Sequence, residues 1–125
     1  MIEKKTEKTF GETVRLLRDE QRIGLRKLAE RVGMSPTYLS KVERGEFPPP
    51  GEEKVKSIAQ ALGQNEDELL ALAGRVSSDL NKIIRRQPRE MADFLRSASG
   101  LSAPDLDKLR RDAEKRKRLK ERGGI

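Results

Sequence analysis

Thr37, Ser40 and Lys41 are the residues of this chain whose types and spacing best suit directed chemistry. They stand at i, i+3 and i+4, so a helix would turn all three to one side. A threonine offers a methyl and a hydroxyl, and a lysine offers an ammonium with three donors. These groups bind rather than react. Thr37 can make an apolar contact or donate a hydrogen bond, and Lys41 can donate to paired acceptors. Pro36, beside them, has no backbone donor, so only apolar contact is open to it. Leu39 and Val42 are the interleaved apolar residues and are spent on packing.

Catalytic chemistry has few carriers here. The 125-residue chain contains no His and no Cys. Disulfides, thiolate nucleophiles, Cys- or His-ligated metals and His-dependent triads are therefore excluded. Lys, Asp or Glu catalysis has no visible motif, and there is no P-loop. The expectation is a protein that is not an enzyme, with no cofactor and no metal.

The elements that must hold Thr37 and Lys41 in place read as helical throughout, because apolar residues recur at three- and four-residue spacing. Thr9 with Glu12 is a capping box that opens a first helix carrying Phe10, Val14 and Leu17, with Leu16 beside them. Ile23-Gly24 is expected to break it. A second helix covers about Leu25 to Val32, and Gly33 ends it. Ser35-Pro36 starts a third, to about Arg44, with Ser as N-cap and Pro in the first turn. Gly33-Met34-Ser35 thus joins two short helices, with Ala29 as the small residue at their crossing. Leu28, Val32, Leu39 and Val42 lock them into a helix–turn–helix. Phe47-Pro48-Pro49-Pro50-Gly51 is a stiff connector. A fourth helix follows from about Glu52 to Leu62, with Val55, Ile58 and Ala59 facing in. A fifth, capped by Asn65, runs to about Ala73, and Gly74 is the expected boundary. No internal repeat is visible.

Charge is uneven along the chain. Lys and Arg total 28 against 21 Asp and Glu, a net +7 with a pI near 9.9. Residues 1–44 carry 11 basic and 7 acidic groups, residues 45–74 carry 2 and 6, and residues 75–125 carry 15 and 8. Such a surface favours polyanions. The N-terminal stretch MIEKKTEKTF lacks the apolar core of a signal peptide. Leu69 to Ala73 is too short to span a bilayer. A soluble, cytoplasmic chain that does not engage membrane is the expectation.

The run from Leu25 to Pro50, with Arg18 before it, resembles the Xre or Cro/phage-repressor helix–turn–helix family. The matching residues are Arg18, Leu28-Ala29, Gly33, Ser35, Leu39-Ser40, Val42-Glu43-Arg44-Gly45 and Pro48. The resemblance covers about Phe10 to Gly74. It implies an all-α fold: a five-helix phage-repressor-like domain at 9–74, followed by a short helical module. It also implies a transcription regulator, typically dimeric, that binds double-stranded DNA at an inverted-repeat operator.

Under that resemblance, the start of the third helix enters the major groove. Pro36, Thr37, Ser40 and Lys41 are then the base-contacting residues. Phosphate contacts are expected from the amides at Leu25 and Arg26, at the positive end of the second helix. The hydroxyls of Ser35 and Tyr38 and the cations Arg22, Lys27 and Arg44 are expected to join them. Tyr38 can instead lay its ring on the helix pair. The Pro36 start departs from the Gln-rich start of the best-known phage members, so their base preference does not carry over. The resemblance further implies an ion pair between Arg18 and Glu43.

Residues 75–113 read as short amphipathic helices bearing Leu80, Ile83 and Ile84, then Met91, Phe94 and Leu95, then Leu106 and Leu109. So few large apolar groups make a marginal independent core. Their expected role is homodimerisation, with docking on their own N-terminal domain as the alternative. Residues 1–8 are read as a flexible N-terminus. Residues 114–125 are a basic tail, where a polar helix and disorder look alike in sequence. By resemblance, regulators with a PPP loop and a short helical tail are similar to those cleaved by a zinc metallopeptidase of the ImmA/IrrE type, while others are antitoxins. Such a cut is expected between Asp79 and Asp107, at Gly100-Leu101-Ser102. A protein-interaction module that has lost DNA readout is the competing function.

Overall fold

The computed structural model describes residues 8–123. The expected flexible segment lies outside the described residues except for Lys8, and so do the last two residues of the basic tail. Eight α-helices follow one another, and no strand occurs among the described residues: α1 Phe10–Glu20, α2 Leu25–Val32, α3 Pro36–Glu43, α4 Glu52–Ala61, α5 Glu66–Leu72, α6 Ser78–Arg86, α7 Pro88–Ala98 and α8 Ala103–Arg122. The fold is all-α, with the five-helix domain followed by the helical module.

Helix starts are set by local chemistry. Thr9 Oγ1 accepts from Glu12 N at 3.1 Å, and Thr9 N donates back to the Glu12 carboxylate at 3.0 Å. Ser35 Oγ accepts from Tyr38 N at 3.1 Å, and Asn65 Oδ1 from Glu68 N at 2.9 Å. Each satisfies an amide that the helix itself leaves without a partner.

The first compact unit ends at Asn81. Its core is one cluster in which Val14, Leu28, Leu39, Val55, Ile58, Leu62 and Leu70 are fully buried. Four helix pairs enclose it: α1 on α3, α2 on α3, α2 on α4, and α4 on α5. Leu16 lies outside the core and is exposed, while Leu17 packs against it. The unit extends past the expected boundary at Gly74 because polar groups tie the following residues down. Arg75 Nε donates to Pro50 O at 3.0 Å, and Ser78 N donates to Glu52 Oε2 at 3.1 Å. Lys56 holds that Glu52 carboxylate at 2.9 Å and, with the Ser78 amide, keeps its pKa below the usual carboxylate range.

Two backbone details differ from the sequence expectation. Helix α1 is closed by Arg22, not by Gly24. Arg22 has φ 58°, and Ile23 N bonds back to Arg18 O at 2.9 Å. Gly24 has ordinary extended geometry because it serves as the N-cap of α2. The second detail is Gly11, buried on α1. A Cβ there would lie 2.4 Å from Val42 O and 2.7 Å from Glu43 O. The backbones of α1 and α3 thus approach so closely that only glycine fits.

The second unit begins at Lys82. Among its described residues only Ala98 is buried, and α7 and α8 do not form a closely packed pair. Helix α8 continues through the basic run to Arg122 with no buried residue. Pairs along its own surface support it: Arg110 with Asp107 at 2.7 Å and with Glu114 at 2.8 Å, Arg111 with Asp107, and Arg116 with Asp112 at 2.9 Å. Such spacings favour the helical form through contacts along its own surface.

Candidate nucleic-acid interface

Helix α3 carries the candidate reading face. Leu39 and Val42 turn inward and are buried, and Glu43 is also buried. Thr37 and Arg44 are exposed, while Pro36, Ser40 and Lys41 are half-buried at the surface. Thr37, Ser40, Lys41 and Arg44 share one face at helical spacing.

The turn that presents α3 is built from three directions. Gly33 has φ 70°, and Met34 N bonds to Ala29 O at 2.9 Å, which closes α2 in a Schellman-type end. Ser35 then opens α3. Lys54, from α4, donates to Val32 O at 2.8 Å and Gly33 O at 3.2 Å. Its ammonium sits where the carbonyl end of α2 gathers negative charge. Nothing in the local sequence signals this contact, because Lys54 is some twenty residues away and reaches the turn only once α4 packs on α2.

Arg18 and Glu43 fix the other end of α3. Arg18 Nε and Nη2 donate to the two Glu43 oxygens at 2.9 and 3.0 Å, and Nη1 donates to Ile23 O at 3.0 Å. The Arg18 and Glu43 side chains are 12% and 5% exposed. The Glu43 hydrogen bond holds the Arg18 pKa above its ordinary value, against the pull of desolvation. A two-pronged pair shielded from water is directional as well as strong.

Phe47, whose sequence context suggests packing and stiffness rather than chemistry, organises the edge of this face. The Tyr38 ring packs against it with centroids 5.7 Å apart, and Lys41 Nζ lies 5.1 Å above its centroid. Tyr38 therefore rests on the helix pair and on Phe47. Phe47 is 40% exposed, so a cation–π contact of about 0.5–1 kcal/mol is appropriate.

The positions expected to contact phosphate divide into groups. Arg22, Arg26 and Lys27 are exposed, and Leu25 is half-buried against the core. Helix α2 starts at Gly24 without a side-chain cap, so its first amides keep their donors unsatisfied by a side chain. Ser35 uses its oxygen to cap α3, which leaves its hydroxyl proton free to donate. Arg44 is shared with Glu46 at 3.3 Å, both groups being about half exposed. No group of His, Cys, Asp and Glu among the described residues could hold a metal ion. No described helix is long and apolar enough to cross a membrane.

Two short helices locked across a glycine turn, with the second showing a polar outer face, define a helix–turn–helix unit. A family model described as a helix-turn-helix domain matches residues 9–72, and the chain belongs to that family. It is similar to an uncharacterized HTH-type transcriptional regulator of Mycobacterium tuberculosis, at 39% identity over 64 residues, covering 51% of this chain and 45% of that one. It is also similar to the HTH-type transcriptional repressor RghR of Bacillus subtilis, at 32% identity over 68 residues, covering 54% and 50%. The chain thus spans about half the length of the curated relatives it matches. Among solved structures, the DNA-binding domain of the P22 c2 repressor is 33% identical, with a TM-score of 0.46, covering 50% of this chain and 82% of that one.

Proposed function

We propose that this protein is a sequence-specific double-stranded DNA-binding transcriptional regulator, a repressor that acts as a homodimer on an inverted-repeat operator. The observation that carries the reading is the roll of α3. Its apolar and acidic residues are buried, and Thr37, Ser40 and Lys41 remain at the surface. In this reading Thr37, Ser40 and Lys41 meet base edges, Pro36 adds an apolar contact, and Phe47 fixes the path of Lys41. Arg22, Arg26, Lys27, Ser35, Arg44, the Tyr38 hydroxyl and the first amides of α2 at Leu25 and Arg26 hold phosphates. Phosphate contacts set register, and base contacts set specificity.

The dimer would form through residues 75–113. Leu80, Ile83, Phe94, Leu95, Leu106 and Leu109 are exposed, with Ile84 and Met91 half-buried. Apolar residues so poorly covered within their own unit suit a second copy. Two copies would place two reading helices one DNA turn apart, ~34 Å.

Selection of bound sites from random DNA tests this directly. The expected product is an inverted repeat with half-sites about 10 bp apart, centre to centre. Lys41→Ala should relax preference at one base pair and cost about 1–3 kcal/mol there, whereas Arg44→Ala should weaken all sites alike. Selection that returns no common sequence, with affinity insensitive to salt, would favour a protein-interaction module instead.

A further inference from the structure

The C-terminal end of α8 is the strongest charged patch of the second unit. Six of the eight residues from 115 to 122 are basic: Lys115, Arg116, Lys117, Arg118, Lys120 and Arg122. All are exposed. Only Arg116 has an acidic partner within ion-pair distance among the described residues. This contrasts with the first half of the helix, where Arg110 and Arg111 are both neutralised by Asp107 and Glu114.

Three physical features narrow what this segment is for. First, like charges face one another at helical spacing, as in Lys115 with Arg118, Arg116 with Lys120, and Arg118 with Arg122. Each such pair opposes the helix. Asp112 offsets this for Arg116 alone, and an external anion would relieve the rest. Secondly, cations complement the helix dipole only in the last turn. That accounts for Lys120 and Arg122 but not for residues 115–118. Thirdly, at 100° per residue, residues 115 to 118 point in four directions around the axis. Leu119 is the sole large apolar residue, so there is no face to bury in a membrane. Charge on all sides of a rod, over about 12 Å, suits the phosphates that line both walls of a DNA groove.

We propose that residues 115–122 of α8 are a second DNA contact, which grips the phosphate backbone without reading sequence. This rests on DNA being the ligand of the first unit, but not on the operator reading. The test uses the full chain carrying K115Q, K117Q, R118Q and K120Q together; Gln keeps good helix propensity, and circular dichroism checks the helix. Affinity for the selected operator and for a random duplex is followed against salt. Removing four phosphate contacts per protomer should reduce the magnitude of the slope of log affinity against log salt by about 3.6 for each protomer bound, or about 7 for a homodimer. Between 50 and 200 mM salt, the wild type should then lose about 150-fold more affinity than the variant for each protomer bound. The operator-to-random ratio should stay the same. Exchanging the same residues between Lys and Arg should leave the slope unchanged.

An unchanged slope in the Gln variant overturns the proposal, even if the wild type discriminates the operator strongly. Binding of phosphatidylserine vesicles through these residues, with the DNA slope unaltered, would also overturn it. A wild type that binds every duplex equally, but whose slope falls in the Gln variant, supports this contact while refuting the operator reading.

Discussion

Replacing Arg18 by Met removes one half of the ion pair and leaves the other half stranded. Glu43 is 5% exposed and accepts two hydrogen bonds from Arg18, so its carboxylate would lose both donors without gaining water. The carbonyl of Ile23 loses its Arg18 donor in the same step. A buried charge left alone in this way costs about 3–5 kcal/mol. For a domain of this size that corresponds to a fall in Tm on the order of 15–30 °C. Urea or thermal unfolding of the purified variant reads it. The companion variant Glu43→Leu with Arg18→Met replaces both charges with apolar groups and should recover most of the loss, since the cost lies in the orphaned partner. The two single variants and the double then form a cycle with a coupling energy above about 2 kcal/mol. An Arg18→Met protein that unfolds at the wild-type midpoint would refute the reasoning, as would a double variant no more stable than the single.

Two other substitutions test the backbone. Gly11→Ala should destabilise by about 1–3 kcal/mol in urea unfolding despite alanine's better helix propensity, because its Cβ meets the rigid carbonyls of Val42 and Glu43; a gain in stability would contradict the close approach of α1 and α3. Arg22→Gly should stabilise by up to about 1 kcal/mol, since a non-glycine residue at φ 58° carries strain that glycine lacks. The same variant should bind DNA more weakly if Arg22 touches phosphate, so melting temperature and affinity should move in opposite directions.

Much of the fold was legible because its signals are local. A serine before a proline, a threonine three residues ahead of a glutamate, and glycines after apolar runs specify helix ends through bonds between neighbours. Three- and four-residue spacing specifies which face each helix buries. The roll of α3 follows from the same rule, since Leu39 and Val42 can only face a core. The resemblance supplied the Arg18–Glu43 pairing, which spacing alone does not determine. Residues acting over distance were not legible. Phe47 reads as part of a proline-rich connector, and its place under Lys41 exists only after the chain turns back past α3. Lys54 and Glu52 read as ordinary charges on a helix surface.

By itself, then, the sequence determined the number and order of the first five helices, the side-chain caps of α1, α3 and α5, the glycine turn and the charge asymmetry, because each depends on residues within a turn or two of one another. Only the tertiary structure decided that Gly11 must lack a side chain, that Arg22 and not Gly24 adopts the left-handed geometry, and that Lys54 caps α2. These outcomes depend on which surfaces meet or stay apart in space, and short-range spacing carries no record of that.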